Sequence, residues 1–165
     1  IDRLVFLFAE VLPYIFALGI WAWFIVRKRS KQIIFIGLVG LISALVSRLI
    51  IVTAIRFFVE RSRPFAELDL APVFSHDPGN AFPSGHAAFF FALGFVIFLI
   101  NRHWGYWFLS LSLLNGLARI FVGVHYPSDI LGGILIGLAA WGLVHFLLNR
   151  KEVAPEAVID NPGPL

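Results

Sequence analysis

The sequence predicts an all-α protein built as a polytopic bundle of transmembrane helices. Of its 165 residues, 59% are hydrophobic and 14% are charged, and the mean hydropathy is +0.88. A soluble domain needs a more polar surface than this composition supplies. Apolar stretches of roughly 20 residues, enough to cross a hydrocarbon core about 30 Å thick, follow one another along the chain. We place them at about 4–26, 32–58, 85–101, 104–122 and 128–148.

Ionisable residues interrupt the first two of these helices. Glu10 and Pro13 lie in the first, and Arg48 lies in the second. The first stretch exceeds the roughly 7 to 15 apolar residues of a signal-peptide core, so we interpret it as a retained helix. Ionisable side chains in membrane helices usually face the bundle interior. We expect either a structural ion pair between Glu10 and Arg48 or a headgroup-binding role for one of them.

The basic residues predict how the helices are oriented in the membrane. A compact basic cluster at 27–31 joins the first two helices, and the positive-inside rule assigns it to the cytoplasm. Counting alternately along the chain, the turn at 101–103 and the basic end at 149–151 also lie inside. The long connection at 59–84 and the turn at 123–127 then lie outside.

We predict two regions of unequal size. Residues 1–150 are expected to form one transmembrane domain, and residues 151–165 a disordered cytoplasmic tail, because the tail has prolines and scattered acids without periodicity. The chain starts at Ile1 rather than at a methionine. We therefore expect that a missing N-terminal segment would complete a bundle of six helices.

Composition also excludes several classes of function. The absence of cysteine rules out thiolate metal sites, disulfides and cysteine catalysis. The net charge is +3, but the basic residues sit at segment ends or inside apolar runs rather than in exposed stripes. Nucleic acid is therefore a poor candidate partner.

The first polar motif lies at the outer end of the second helix. Arg56 and Arg63 are seven residues apart, and Pro64 follows. Arginine presents a planar fork of donors that suits phosphate oxygens. Taken alone, such a cluster is also typical of an interfacial anchor whose side chains reach toward the headgroups.

The second motif opens the third helix. Ser84 is a good N-cap, and Gly85 allows close approach to the free N–H groups of the first turn, which form a ready anion site. His86 follows directly, and an imidazole can protonate a leaving oxygen near neutral pH. The alternative is a capped helix whose histidine merely sits at the interface.

The third motif spans the end of the fourth helix and the start of the fifth. Arg119 precedes His125, and Asp129 follows four residues after His125. A carboxylate so placed fixes the tautomer of the imidazole and leaves its other nitrogen free to attack. Metal ligation by His125, Asp129 and His86 competes with this reading, but the three arginines of the motifs would repel a cation.

Together the motifs supply positive charge, a nucleophile, an acid and an orienting carboxylate, as phosphoryl transfer through a covalent intermediate requires. They resemble the type-2 phosphatidic acid phosphatase superfamily, whose motifs are Lys-x6-Arg-Pro, Pro-Ser-Gly-His and Ser-Arg-x5-His-x3-Asp. This chain has Arg56-x6-Arg63-Pro64, Pro83-Ser84-Gly85-His86 and Ala118-Arg119-x5-His125-x3-Asp129. The resemblance covers residues 1–148. It departs at Arg56, which replaces lysine, and at Ala118, which replaces serine.

The resemblance implies a role for each motif residue. His125 would attack phosphorus to give a phosphohistidine, Asp129 would orient it, and His86 would protonate the leaving lipid oxygen and then activate water. The resemblance also implies that no metal or other cofactor takes part. The residues expected to bind the phosphate oxygens are Arg56, Arg63, Ser84, Gly85 and Arg119.

Within the superfamily, the chain most resembles the bacterial undecaprenyl-diphosphatases, which recycle the lipid carrier of cell-wall synthesis. This resemblance implies a multi-pass protein of the bacterial inner membrane with an extracytoplasmic active site and a lipid diphosphate substrate. Phosphatidylglycerophosphate, phosphatidate and lipid A remain alternative substrates. A non-catalytic protein that binds anionic lipids is the alternative from another class, and a degenerate enzyme is suggested only by Arg56 and Ala118.

Aromatic and polar residues near the motifs have two readings. Tyr126, Phe82 and Phe65 are expected in an interfacial aromatic belt, or else as walls of the pocket. His76 and Asp77, in the outer connection, would belong to a lid or to an ordinary loop.

Overall fold

The computed structural model describes residues 11–28, 31–68 and 79–149, and within these ranges the chain forms helices and no strand. A π-helical segment, Val46–Ile51, joins the helices Lys31–Leu45 and Val52–Phe58 into one continuous helix. The elements in chain order are α1 (Leu12–Lys28), α2 (Lys31–Leu45), α3 (Val52–Phe58), α4 (Pro64–Glu67), α5 (Gly85–Ile100), α6 (Arg102–Phe121) and α7 (Pro127–Asn149).

The long helices agree closely with the sequence prediction, and the predicted all-α class is confirmed. The predicted spans from the second to the fifth begin and end within two residues of the observed helices. The short α4 was not predicted; it starts at Pro64, a residue suited to the first helical turn. Residues 1–10, with Glu10, and residues 150–165 lie outside the described residues.

Two of the described helices are long and apolar enough to cross a membrane by length and composition: Lys31–Phe58 and Pro127–Leu147. The apolar parts of two others, Pro13–Trp23 and Gly85–Ile100, are shorter. Large apolar side chains on the outside of the bundle are strongly exposed, among them Phe121 at 96%. Such a surface suits lipid rather than water.

Helix α5 forms the centre of the bundle. Every residue from 85 to 94 is buried, because α2, α6 and α7 all pack against it. Phe89 and Phe90 form an apolar core with Phe108 of α6, and Tyr14 and Trp21 of α1 pack against that core. A helix enclosed in this way has a fixed position, and so does the motif at its N-terminal end.

Helix α7 approaches α5 very closely at two glycines. A Cβ atom at Gly133 would lie 2.5 Å from the carbonyl oxygen of Ser84, and one at Gly137 would lie 2.6 Å from that of Ala88. The spacing Gly-x-x-x-Gly is typical of close helix packing in membranes. The backbone N–H of Ser84 also donates to the carbonyl of Asp129 at 3.0 Å. The first turns of α5 and α7 are therefore held side by side.

The connections at this end of the bundle are tied together by hydrogen bonds. The Asn80 side-chain amide donates to the carbonyl of Arg56 at 2.6 Å, and its oxygen accepts from the N–H of Arg61 at 3.3 Å. The N–H of Phe65 donates to the carbonyl of Gly123 at 3.0 Å, and Gly123 adopts a φ of 71°, which favours glycine. These bonds fix the arginine motif against the loop that carries His125.

Candidate active site

A polar cavity of about 280 Å³ lies where α3 and α6 end and α5 begins. Ser84 and Asp129 lie directly behind its wall and are fully buried. The structure thus brings all three predicted motifs to one place. The residues that line the cavity are Arg48, Leu49, Val52, Thr53, Arg56, Arg63, Gly85, His86, Arg119 and His125.

The cavity wall carries a concentration of positive charge. Arg56 donates through Nε and Nη2 to the carbonyl of Pro83, at 3.2 and 2.9 Å. Arg63 donates through Nη1 to the carbonyl of Val124 at 3.2 Å. Arg63 and Arg119 are both buried, and none of the described lining residues is acidic. A cavity wall with several arginines and no described acid suits an anionic ligand.

The predicted helix start at Ser84 is present. Its hydroxyl accepts from the N–H of Ala87 at 3.4 Å, and Gly85 and His86 line the cavity directly. The first-turn N–H groups of α5 therefore belong to the same site as the arginines. The ring of His86 is buried and packs 5.1 Å from the ring of Tyr14.

His125 and Asp129 form the predicted pair, although their contact is long. Nδ1 of His125 lies 3.5 Å from Oδ2 of Asp129, beyond the usual range of a hydrogen bond. Catalytic hydrogen bonds are often long before substrate binds and then shorten. Oδ2 of Asp129 also accepts from the N–H of Tyr126 at 2.8 Å. The carboxylate is thus anchored while it faces the imidazole.

The surroundings of His125 lower the pKa of its imidazole from 6.5 to about 4. Burial is the main cause, and the positive charges of Arg119 and Arg63 add to it. The contact with the Asp129 side chain and the negative charge of that carboxylate act in the opposite direction and offset part of the shift. The ring is therefore neutral at neutral pH, with a lone pair available for attack.

Arg61 is a site residue to which the sequence analysis gave no role. Its Nη1 donates to Oδ1 of Asp129 at 2.7 Å and to Oγ of Ser128 at 2.8 Å. Its guanidinium lies 4.2 Å from the centroid of the Tyr126 ring, and the Tyr126 hydroxyl donates to Glu67. Arg61 therefore holds Oδ1 of Asp129, while Oδ2 of the same carboxylate faces His125.

The remaining residues singled out from the sequence differ in their position relative to the cavity. Arg48 lines the cavity and lies over the ring of Tyr14 at 5.2 Å, whereas its predicted partner Glu10 lies outside the described residues, as do His76 and Asp77. Phe65 is buried, Phe82 packs against Gly132, and Tyr126 packs against Arg61. These three aromatics are not among the described residues that line the cavity.

The described residues contain no group of three His, Asp or Glu side chains placed to hold a metal ion. Metal-independent chemistry remains a prediction.

The chain matches the PAP2 superfamily over residues 37–152, a range that contains all three motifs. The chain belongs to this superfamily. It is 32% identical to the bacitracin transport permease protein BcrC of Bacillus licheniformis, with 96% of this chain and 82% of that protein covered. It is 29% identical to the undecaprenyl-diphosphatase BcrC of Bacillus subtilis, with 87% and 69% covered. The predicted family and the prediction of a lipid phosphatase are confirmed.

The fold is also similar to that of a solved protein. A transmembrane PAP2-type phosphatidylglycerolphosphate phosphatase from Bacillus subtilis superposes with a TM-score of 0.60 at 22% sequence identity. The match covers 89% of this chain and 73% of that protein. The predicted polytopic transmembrane bundle is confirmed by this similarity.

Proposed function

We propose that this protein hydrolyses undecaprenyl diphosphate to undecaprenyl phosphate and inorganic phosphate. The observation that carries the proposal is the single cavity that unites His125, His86 and the motif arginines. The names of two relatives support the choice of lipid: undecaprenyl-diphosphatase BcrC and putative undecaprenyl-diphosphatase YbjG of Escherichia coli.

The proposed reaction has two steps. In the first, Nε2 of His125 forms a bond with the terminal phosphorus, the bond from that phosphorus to the bridging oxygen breaks, and His86 donates a proton to the departing lipid phosphate. In the second, His86 removes a proton from a water molecule that attacks the phosphohistidine, and phosphate leaves. Nε2 is assigned to the attack because Nδ1 is the nitrogen nearer Asp129.

The remaining polar groups would bind the transferred phosphoryl group. Arg63 and Arg119 lie beside His125, and Arg56 is held next to Ser84 by the Pro83 carbonyl. With Ser84 and Gly85 at the start of α5, they would stabilise the charge that develops on the oxygens in the transition state.

The proposed location is the bacterial inner membrane, with the cavity on the extracytoplasmic side. Lys31, the last residue of the basic cluster at 27–31, starts α2, and the cavity lies near the end of α3 in the same continuous helix. The positive-inside rule places that cluster in the cytoplasm, and the cavity therefore opens on the other face.

A second candidate function is the binding or transport of anionic lipids, in which the arginines bind the headgroup and no phosphoryl transfer takes place. One relative is named a transport permease, and a protein that only binds or moves anionic lipids would use the same positive cavity. Such a protein has no need of the His125–Asp129 pair. Other relatives are named lipid A 1-phosphatase and phosphatidylglycerophosphatase B, which favour the same chemistry on another lipid.

Phosphate release from purified protein in detergent, with chelator present, tests the proposal. The substrates are undecaprenyl diphosphate, phosphatidylglycerophosphate and phosphatidate, and the variant is His125→Ala. We expect preference for the diphosphate and a loss of about 10⁴-fold or more in kcat for the variant. His103→Ala is the matched control, because His103 is an exposed residue at the opposite end of α6.

The two candidates predict different outcomes. An enzyme transfers label from terminally ³²P-labelled substrate to the wild-type protein as an acid-labile adduct, and His125→Ala removes that label. Lipid binding without phosphate release from any of the three substrates would refute the enzymatic proposal. Release from phosphatidylglycerophosphate or phosphatidate alone would retain the mechanism and refute the choice of lipid.

A further inference from the structure

Arg48 is a fourth arginine in the cavity, and it lies outside the three motifs. It comes from the π-helical segment between α2 and α3 and is half-buried. A Cβ atom built at Gly85 would lie 3.3 Å from Nη1 of Arg48. The guanidinium therefore lies beside the first turn of α5, where the second motif is located.

The π-helical turn explains how Arg48 reaches the cavity. Arg48 and Arg56 are eight residues apart in one continuous helix. In a regular α-helix, eight residues would place the two side chains about 80° apart around the axis. A π-helical turn accommodates one extra residue, and such turns are frequent at functional sites. Here it brings both arginines to the same face of the helix.

The cavity has two chemically distinct sides. The loop of His125 holds Arg63 and Arg119: Arg63 donates to the carbonyl of Val124 at 3.2 Å, and the carbonyl of Arg119 accepts from the N–H of Val124 at 3.0 Å. A separate group of contacts surrounds the Tyr14 ring, which contacts both His86 and Arg48, at 5.1 and 5.2 Å. Arg48 thus shares its neighbour with the proposed acid, whereas Arg63 and Arg119 are bonded to the loop of the proposed nucleophile.

In-line phosphoryl transfer requires the nucleophile and the leaving group to lie on opposite sides of phosphorus. With His125 as nucleophile, the leaving group departs toward His86 and Arg48. For a lipid diphosphate, that leaving group is itself a phosphate.

We propose that Arg48 binds the lipid-side phosphate of a diphosphate substrate and thereby sets a preference for diphosphates over monophosphates. This inference rests on the proposed function and deepens it. A diphosphate ester carries about one more negative charge than a monophosphate ester. A fourth arginine in a cavity whose described lining has no acid matches that extra charge.

The chemistry of the leaving group gives Arg48 its role in the reaction. When His125 bonds to the terminal phosphorus, the bridging oxygen keeps the electron pair of the broken bond and departs as part of the lipid phosphate. A phosphate leaves as a stable anion, so a fixed positive charge stabilises the departure. A monophosphate ester instead releases a lipid alcohol, which has no second phosphate for Arg48 to bind.

The test compares substrates with the same lipid tail, farnesyl diphosphate and farnesyl phosphate, in the wild type and in Arg48→Gln. We expect the ratio of kcat/KM for the diphosphate to that for the monophosphate to fall about tenfold or more in Arg48→Gln. Arg102→Gln is the matched control, because Arg102 is an exposed arginine at the opposite end of α6, and it should leave the ratio unchanged.

Each outcome decides a separate point. An equal loss on both substrates would overturn the inference and show a structural role, such as the ion pair with Glu10 expected from the sequence. A wild type without activity on diphosphates would overturn the proposed function itself, before any variant is made. If Arg48→Gln does not fold, Arg48→Met decides, because methionine keeps an unbranched side chain without the charge: a lower ratio supports the contact with the second phosphate, and an unchanged ratio refutes the inference.

Discussion

Asp129 is the residue on which most contacts of the site converge. Its two oxygens accept from Arg61 and from the N–H of Tyr126, and one of them faces His125. Since Asp129 is fully buried, an unpaired carboxylate would be costly there. Arg61 offsets that cost by supplying a positive charge that donates to Oδ1 at 2.7 Å.

The low pKa of His125 predicts how the proposed nucleophile responds to pH. Burial first, and then Arg119 and Arg63, hold that pKa near 4. The imidazole is protonated only below that pH, so the nucleophile stays neutral throughout the range from pH 5 to 8 and is lost in stronger acid.

An NMR titration of protein with labelled histidine checks this directly, with the His125 signal assigned from its absence in His125→Ala. We expect a midpoint near 4 for the substrate-free protein. A midpoint for His125 near the unperturbed histidine value of about 6.5 would contradict the burial described here.

The sequence predicted the eight motif residues of the site because short spacings place residue types on adjacent turns or at helix ends. His125 and Asp129 are one helical turn apart, and Ser84 immediately precedes its helix. Arg61 was missed because its partner is 68 residues away in the sequence, and no local pattern specifies such a contact. The sequence showed Arg48 as an ionisable residue within an apolar helix, but it did not specify which face of that helix Arg48 occupies.

At the scale of elements, apolar length and polar interruptions predicted the long helices. Side-chain caps explain two of the observed starts: Ser84 for α5 and Asn101 for α6, which accepts from the N–H of Trp104 at 3.1 Å. The π-helical segment was not predicted, because an apolar run with one arginine is equally compatible with a regular helix. The close contact of α5 with α7 had a usable sequence signal in Gly133 and Gly137.

Substitution of Gly137 should separate these two helices. In Gly137→Ala, the new methyl group meets the Ala88 carbonyl oxygen at 2.6 Å, and backbone atoms have little freedom to move away. We expect a loss of about 1–3 kcal/mol of stability, together with reduced activity, because the start of α5 moves relative to His125. Thermal unfolding in detergent and phosphate release measure the two effects.

Gly142→Ala is the control on the same helix, since a Cβ there meets no atom within 4 Å. It should behave like the wild type or be slightly more stable, because alanine favours helix. Equal behaviour of the two variants would mean that the contact of α5 with α7 does not fix the site.

At the scale of the whole molecule, the residues proposed to bind phosphate all lie at one end of the bundle. We therefore expect the cavity to serve lipids of one leaflet. In sealed vesicles with the protein inserted in one orientation and substrate in both leaflets, hydrolysis should stop at about half of the substrate, because charged headgroups cross hydrocarbon slowly. Addition of detergent should allow the remaining substrate to be hydrolysed. Complete hydrolysis in intact vesicles would contradict a site with access from one side only.

The modest size of the polar cavity, about 280 Å³, also determines which concentration controls the rate. It has room for a headgroup, whereas a long isoprenoid chain has to stay among its neighbours in the bilayer. The encounter between protein and substrate is then two-dimensional. Turnover should follow the mole fraction of substrate among the surrounding lipids, and inert lipid added at constant substrate should slow the reaction by dilution within the surface.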